Sequence, residues 1–115
     1  MSRKKTPDVL SLEGKKCLEK GDFRAAEQLF ARALAAEEHP AHRNNLAAAL
    51  FYAGELERAL AVLEPYLKDG DPLKVNPYSY ALASRIHSAR GEKDKARMRL
   101  EQAVHKYEEL RSAAR

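Results

Sequence analysis

GDFRAAEQLFARAL, residues 21–34, decides the fold, because its pattern occurs twice more in the chain. GELERALAVLEPYL covers residues 54–67 and GEKDKARMRLEQAV covers residues 91–104, so the copies start 33 and 37 residues apart. Each copy begins with a glycine and an acidic residue. Internal similarity at this period indicates a repeat protein. The shared small or bulky positions are Gly14, Ala26, Phe30 and Leu34, then Ala47, Ala59, Leu63 and Leu67, and then Ser84, Ala96, Leu100 and Val104.

Each unit is interpreted as two helices with the glycine in the turn between them. Pro7, Pro40 and Pro77 mark three helix starts, because the N–H that proline lacks would be unpaired in a first turn. Thr6 and Asn76 are suitable N-caps, and glycine suits the left-handed residue that ends a helix. The pattern predicts first helices over 7–20, 40–53 and 77–90, and second helices over 22–36, 55–68 and 92–112.

Glycine and acid in the turn, small residues seven before and five after, and a bulky residue nine after resemble the tetratricopeptide repeat, present three times. The resemblance implies an all-α, right-handed α-solenoid of three helix-turn-helix hairpins, with a long last helix that caps the array. We expect repeats at about 7–39, 40–75 and 76–112, a basic, flexible N-terminal tail over 1–6, and a C-terminal tail over 113–115. Two departures concern packing: Arg43 stands where the family has an aromatic residue, and His87 stands at a packing position.

In this family the first helices line a concave groove that binds peptides or partner helices. The resemblance and the helical spacing together predict a groove in which amides hold a peptide backbone, cations hold carboxylates and tyrosines anchor apolar side chains. The alternative is that these residues are an ordinary solvated face. Asn45 alone matches the lysine-and-asparagine set with which some members bind chaperone C-termini, so we do not expect that ligand. The predicted groove residues are Ser11, Lys15, Asn44, Asn45, Ala48, Tyr52, Tyr78 and Arg85.

The last helix carries an apolar stripe longer than its repeat, which continues through Tyr107 to Leu110. One interpretation is a cap that closes the array, as terminal repeats require for solubility. The other is a homodimer in which the stripe packs against a second copy. A non-catalytic interaction adaptor is therefore the first functional prediction, and a self-assembly module is the alternative.

Composition argues against several other classes. The net charge of +4 is concentrated at the two ends, and the basic residues around Arg97 spread around their helix, so we expect no nucleic acid partner. Cys17 is the only cysteine, which excludes a disulfide within the chain, and it lies on the packing side of the first helix, so we expect a core residue and not a nucleophile. No phosphate-binding glycine loop occurs, and His39 and His42 are separated by a helix start. We expect a cytoplasmic protein without cofactor, metal or membrane anchor.

Overall fold

Six helices follow one another through residues 4–69 and 76–114, the part of the chain that the computed structural model describes. Each predicted helix boundary lies within one residue of the observed one, so the helix assignment is confirmed. Residues 1–3 of the predicted N-terminal tail over 1–6 and residue 115 of the predicted C-terminal tail over 113–115 fall outside the described residues, as do residues 70–75 between the second and third repeats. The helices are α1 (Pro7–Glu19), α2 (Phe23–Ala36), α3 (Pro40–Tyr52), α4 (Leu56–Asp69), α5 (Pro77–Ala89) and α6 (Lys93–Ala113).

Local signals start and stop the first helix of each pair. Thr6 and Asn76 cap α1 and α5 as predicted. The side-chain oxygen of each accepts a hydrogen bond from the backbone N–H of the residue three positions later. His39, which was not predicted as a cap, accepts a 3.0 Å bond from the N–H of Ala41 through its Nδ1. Gly21, Gly54 and Gly91 then end α1, α3 and α5 at φ values of 82°, 83° and 78°. A side chain in this left-handed conformation would be strained, which explains the three glycines.

The small residues of the repeat lie where the helices of a pair cross. A Cβ atom on Gly14 would approach Cε1 of the Phe30 ring to 2.6 Å, so α1 contacts α2 closely only because that side chain is absent. In the third repeat the Ser84 hydroxyl donates a 2.7 Å hydrogen bond to the backbone carbonyl of Ala96. Ser84 and Ala96 are both small positions of the pattern. The small positions are therefore sites of close helix crossing in the first and the third repeat.

Successive repeats bury their apolar residues against one another. Phe30 of α2 is fully buried and clusters with Ala49 of α3, with Cys17 packed at the edge. Leu63 of α4 is also fully buried and belongs to a larger cluster with Leu82 of α5. The second helices α2 and α4 are thus each covered by the first helix of the next repeat, as in an α-solenoid. The position of Cys17 agrees with the expected role of a packing residue.

Polar contacts join the first two repeats at their edges. The His42 ring is buried between the Ser11 hydroxyl, 2.7 Å from Nδ1, and the Glu37 carboxylate, 2.9 Å from Nε2. His42 of α3 thereby links α1 on one side to the end of α2 on the other. Because both ring nitrogens have a partner, burial leaves neither unsatisfied.

Arg43 packs against an aromatic ring between α3 and α4. Its guanidinium lies 4.7 Å from the centre of the Tyr66 ring, and it donates hydrogen bonds to Glu38 and to the carbonyl of Val62. A guanidinium over a ring gains a cation–π attraction and adds directional hydrogen bonds. Burial is the main reason why the pKa of the Tyr66 hydroxyl lies above its ordinary value.

Candidate functional site

The first helices α1, α3 and α5 form a cavity of about 450 Å³. Lys15 approaches it from α1, Asn45 from α3 and Tyr78 from α5. Lys15 and Tyr78 are exposed and Asn45 is half-buried. The cavity therefore offers an ammonium group, an amide and a phenol ring to a ligand. Its other lining residues are Ala41, Asn44, Asn76 and Pro77.

A second cluster lies further along the same face, where α3 and α5 end. The Arg85 guanidinium lies 5.0 Å from the Phe51 ring centre and 5.8 Å from the Tyr52 ring centre. Tyr52 in turn stacks on Phe23 at 6.2 Å. Seven residues separate Asn45 from Tyr52, about 10 Å along the helix. We call these four residues, Phe23, Phe51, Tyr52 and Arg85, the arginine–aromatic cluster.

Both cations of this face are available for a ligand. In the described ranges 4–69 and 76–114, the ion pairs of lysine and arginine involve other residues, and Lys15 and Arg85 have no carboxylate partner. Stacking on Phe51 and Tyr52 holds the Arg85 guanidinium in place without neutralising it. A positioned, uncompensated guanidinium is well suited to bind a carboxylate in two-pronged geometry.

Three of the predicted groove residues are buried, and of these only Asn44 lines the cavity. The Ser11 hydroxyl is buried against His42, and Ala48 is buried in the core of the second repeat. Asn44 is 3% exposed; it accepts a 2.8 Å hydrogen bond from the Ser79 hydroxyl and donates to Asn76, so it links α3 to α5. The exposed part of the predicted set is Lys15, Asn45, Tyr52, Tyr78 and Arg85.

Comparison with known proteins rests on structure, since no family model and no curated protein matches the sequence. The crystal structure of MamA is similar with a TM-score of 0.77 and 18% identity over 93% of this chain. The TPR2AB domain of yeast Sti1, solved in complex with pHSP90, is similar with a TM-score of 0.79 and 21% identity over 94%. This chain has the tetratricopeptide-repeat fold. It spans 61% of the MamA chain and 46% of the Sti1 chain.

Sequence reasoning missed part of the tetratricopeptide groove. Phe23 begins α2, and because α2 and α3 are antiparallel neighbours, its ring lies beside Tyr52 at the end of α3. Asn76 and Pro77 were interpreted only as a helix start, yet both line the cavity. The antiparallel order of the repeat helices was the signal that could have placed Phe23. Asn76 and Pro77 line the cavity because of the displacement of α5 relative to α3. The spacing of residues along the sequence does not give this displacement.

One group of side chains in the described residues has the donor types of a metal site. The possible ligand atoms of Asp8, Glu37 and His42 lie within 4.8 Å of one another. Glu37 and Ser11 already use both nitrogens of the His42 ring, so the arrangement is satisfied as a hydrogen-bonded link between helices. His39, the other histidine of the sequence pair, caps α3 and lies outside the group.

No helix in the part of the chain that the structure describes combines the length and the apolarity needed to cross a lipid bilayer.

Proposed function

We propose that this protein is a non-catalytic, cytoplasmic adaptor that binds an extended peptide or a partner helix along the groove of α1, α3 and α5. The single observation that carries the proposal is the pair of uncompensated cations, Lys15 and Arg85, beside exposed tyrosines. A ligand with acidic side chains on either side of an apolar or aromatic one would match this order of groups. Asn45 lies between them, where its amide can pair with a peptide backbone.

The structural neighbours support the general role. The Sti1 TPR2AB structure is a complex with pHSP90, so a domain of the same fold holds a partner there. We do not propose the same ligand for this protein, because only Asn45 matches the set of lysines and asparagines with which some members of the family bind chaperone C-termini. An arginine stacked on aromatic rings favours a partner that presents a carboxylate next to an apolar surface.

The test is affinity capture from a lysate of the source organism with the wild type and with the double variant Asn45→Ala/Arg85→Glu. Asn45→Ala removes an amide hydrogen bond, and Arg85→Glu reverses the charge that would hold a carboxylate. Together they should weaken binding of the captured partner by about tenfold to a hundredfold. The dissociation constant of the purified partner, measured by calorimetry, gives the number. Circular dichroism should show unchanged helix content, because both side chains lie outside the core.

A matched control is available on α2. Gln28→Ala/Arg24→Glu changes the same kinds of residue and the same charge at two exposed positions away from the groove. This control should bind the partner like the wild type. If both double variants lost binding equally, net charge and not the groove would be responsible. If neither lost it, the groove proposal would be wrong.

Self-assembly is the second candidate function, and the exposure of α6 favours it. Leu100, Val104 and Tyr107 are 53%, 56% and 56% exposed, although they follow one face of the helix. A contiguous apolar stripe of this kind is typical of a surface that another helix covers. This candidate uses a different surface from the groove, so the two functions are compatible in one molecule.

A further inference from the structure

The three repeats provide an internal comparison for the outer face of α6. Phe30 in α2 and Leu63 in α4 occupy the same repeat position as Leu100 in α6. The first two are fully buried, whereas Leu100 is 53% exposed. The first helix of the following repeat covers that position in repeats one and two. In the described chain no helix follows α6, so the same position lacks its cover and an amphipathic helix would fit it.

The charges beside this stripe are ordered so that a second α6 in antiparallel orientation complements them. Asp94 and Arg97 form a pair at 3.6 Å near the start of α6, and Glu108 and Arg111 form one at 3.2 Å near its end. Reversing the helix sets Asp94 opposite Arg111 of the copy and Arg97 opposite Glu108 of the copy. Both pairs have their midpoint between residues 102 and 103, so one register satisfies both.

The apolar residues fit nearly the same register. Leu100 comes opposite Val104 of the copy, and Tyr107 comes opposite Ala96 of the copy, so a large ring meets a small residue. A two-fold axis perpendicular to both helices keeps each charged edge facing its own copy, so each ion pair forms twice. Antiparallel helix pairs use such edge charges to select register and partner.

We propose that the outer face of α6 is the interface of a homodimer in which two α6 helices pack antiparallel about a two-fold axis near residues 102 and 103. The proposal rests on the second candidate function, self-assembly, and is independent of peptide binding in the groove. The second copy supplies the amphipathic helix that a following repeat would otherwise provide.

The decisive experiment mixes two charge variants of the full chain and measures mass by analytical ultracentrifugation. The contact between position 97 of one copy and position 108 of the other occurs twice in the dimer. Arg97→Glu places two acids at each of these contacts, and Glu108→Arg places two bases there. Each variant should dimerise about tenfold or more weakly than the wild type. An equimolar mixture should recover dimerisation close to that of the wild type, because the heterodimer restores opposite charges at both positions.

Mixing separates the interface from effects within one chain, since each protein keeps its own intrahelical changes in the mixture. Leu100→Glu should give a monomer with unchanged helix content and unchanged groove binding. Arg24→Glu, the same charge change on α2, should dimerise like the wild type. Glu101 would approach its own copy near the two-fold axis, so Glu101→Gln should tighten the dimer.

Three results would overturn the proposal in different ways. A wild type that stays monomeric throughout the micromolar range would end both the dimer and the second candidate function, and the groove proposal would remain. A wild-type dimer that Leu100→Glu dissociates, but that mixing fails to restore, would contradict the antiparallel register alone. Unimpaired dimerisation of Leu100→Glu would place the interface on another surface.

Discussion

Leu63→Ala is expected to lower the free energy of unfolding by about 2–5 kcal/mol, whereas Leu100→Ala should lower it by less than about 1 kcal/mol. The two leucines occupy the same position of the repeat and undergo the same chemical change. Leu63 of α4 is fully buried against α3 and α5, so its truncation leaves a cavity that α3 and α5 cannot both close. Leu100 is 53% exposed, so its truncation removes fewer contacts and leaves no enclosed cavity.

Chemical denaturation at a concentration where the protein is monomeric measures both values. Because only neighbouring repeats contact one another in a solenoid, loss of Leu63 weakens the centre of the array and should reduce the cooperativity of unfolding as well. Equal losses for the two variants would show that a helix covers α6 even in the monomer. At high concentration the proposed dimer predicts a larger effect for Leu100→Ala than at low concentration, because the second copy then covers this side chain.

The sequence predicts the fold well because three copies report on the same geometry. A glycine, a small residue or a bulky residue at one position means little alone. The recurrence of Gly21 at Gly54 and Gly91 removes most alternatives, and each glycine has the left-handed backbone that the pattern requires. Helix starts followed from local chemistry at Thr6 and Asn76. These features depend on residues close in sequence, which is why they could be predicted.

The groove was predicted less completely, because it depends on how one helix lies over the next. Helical spacing placed Asn44, Ala48, Asn45 and Tyr52 on one stripe of α3. Asn44 and Ala48 lie at one edge of that stripe, and α5 packs over this edge. Asn45 and Tyr52 lie at the other edge and stay accessible. A wheel drawn for one helix contains no information about the offset of its neighbour, so it cannot divide the stripe.

The arginine–aromatic cluster also depends on how neighbouring helices are arranged. Arg85 and Tyr52 belong to different repeats, and Phe23 belongs to another helix again. Their contact depends on the angle between successive repeats, which is the sum of many packing contacts. Helical spacing and residue type identified Arg85 and Tyr52 as candidates. Only the structure shows that the rings position the guanidinium.

Gly14→Val is the second substitution with a large expected effect, a loss of about 1–3 kcal/mol in the free energy of unfolding. The Cβ atom of any residue at position 14 would lie 2.6–2.9 Å from three carbons of the Phe30 ring. The ring is fully buried, so it cannot move without disturbing α3. Replacing glycine within a helix gains some intrinsic helix stability, but less than this overlap costs.

The repeats themselves suggest the compensating change, because a smaller residue at the first position accompanies a larger residue at the second. Glycine at position 14 faces phenylalanine at position 30, whereas in the second repeat Ala47 accompanies Leu63. Gly14→Ala/Phe30→Leu copies these two positions of the second repeat into the first. Its loss in the free energy of unfolding should be smaller than the sum of the losses of the two single variants. A double-mutant cycle by chemical denaturation measures the difference. Lys16→Val, at an exposed position of the same helix, controls for the β-branched side chain. Additive single effects would mean that the helices separate freely at this crossing, and the steric reason for the small position would then be wrong.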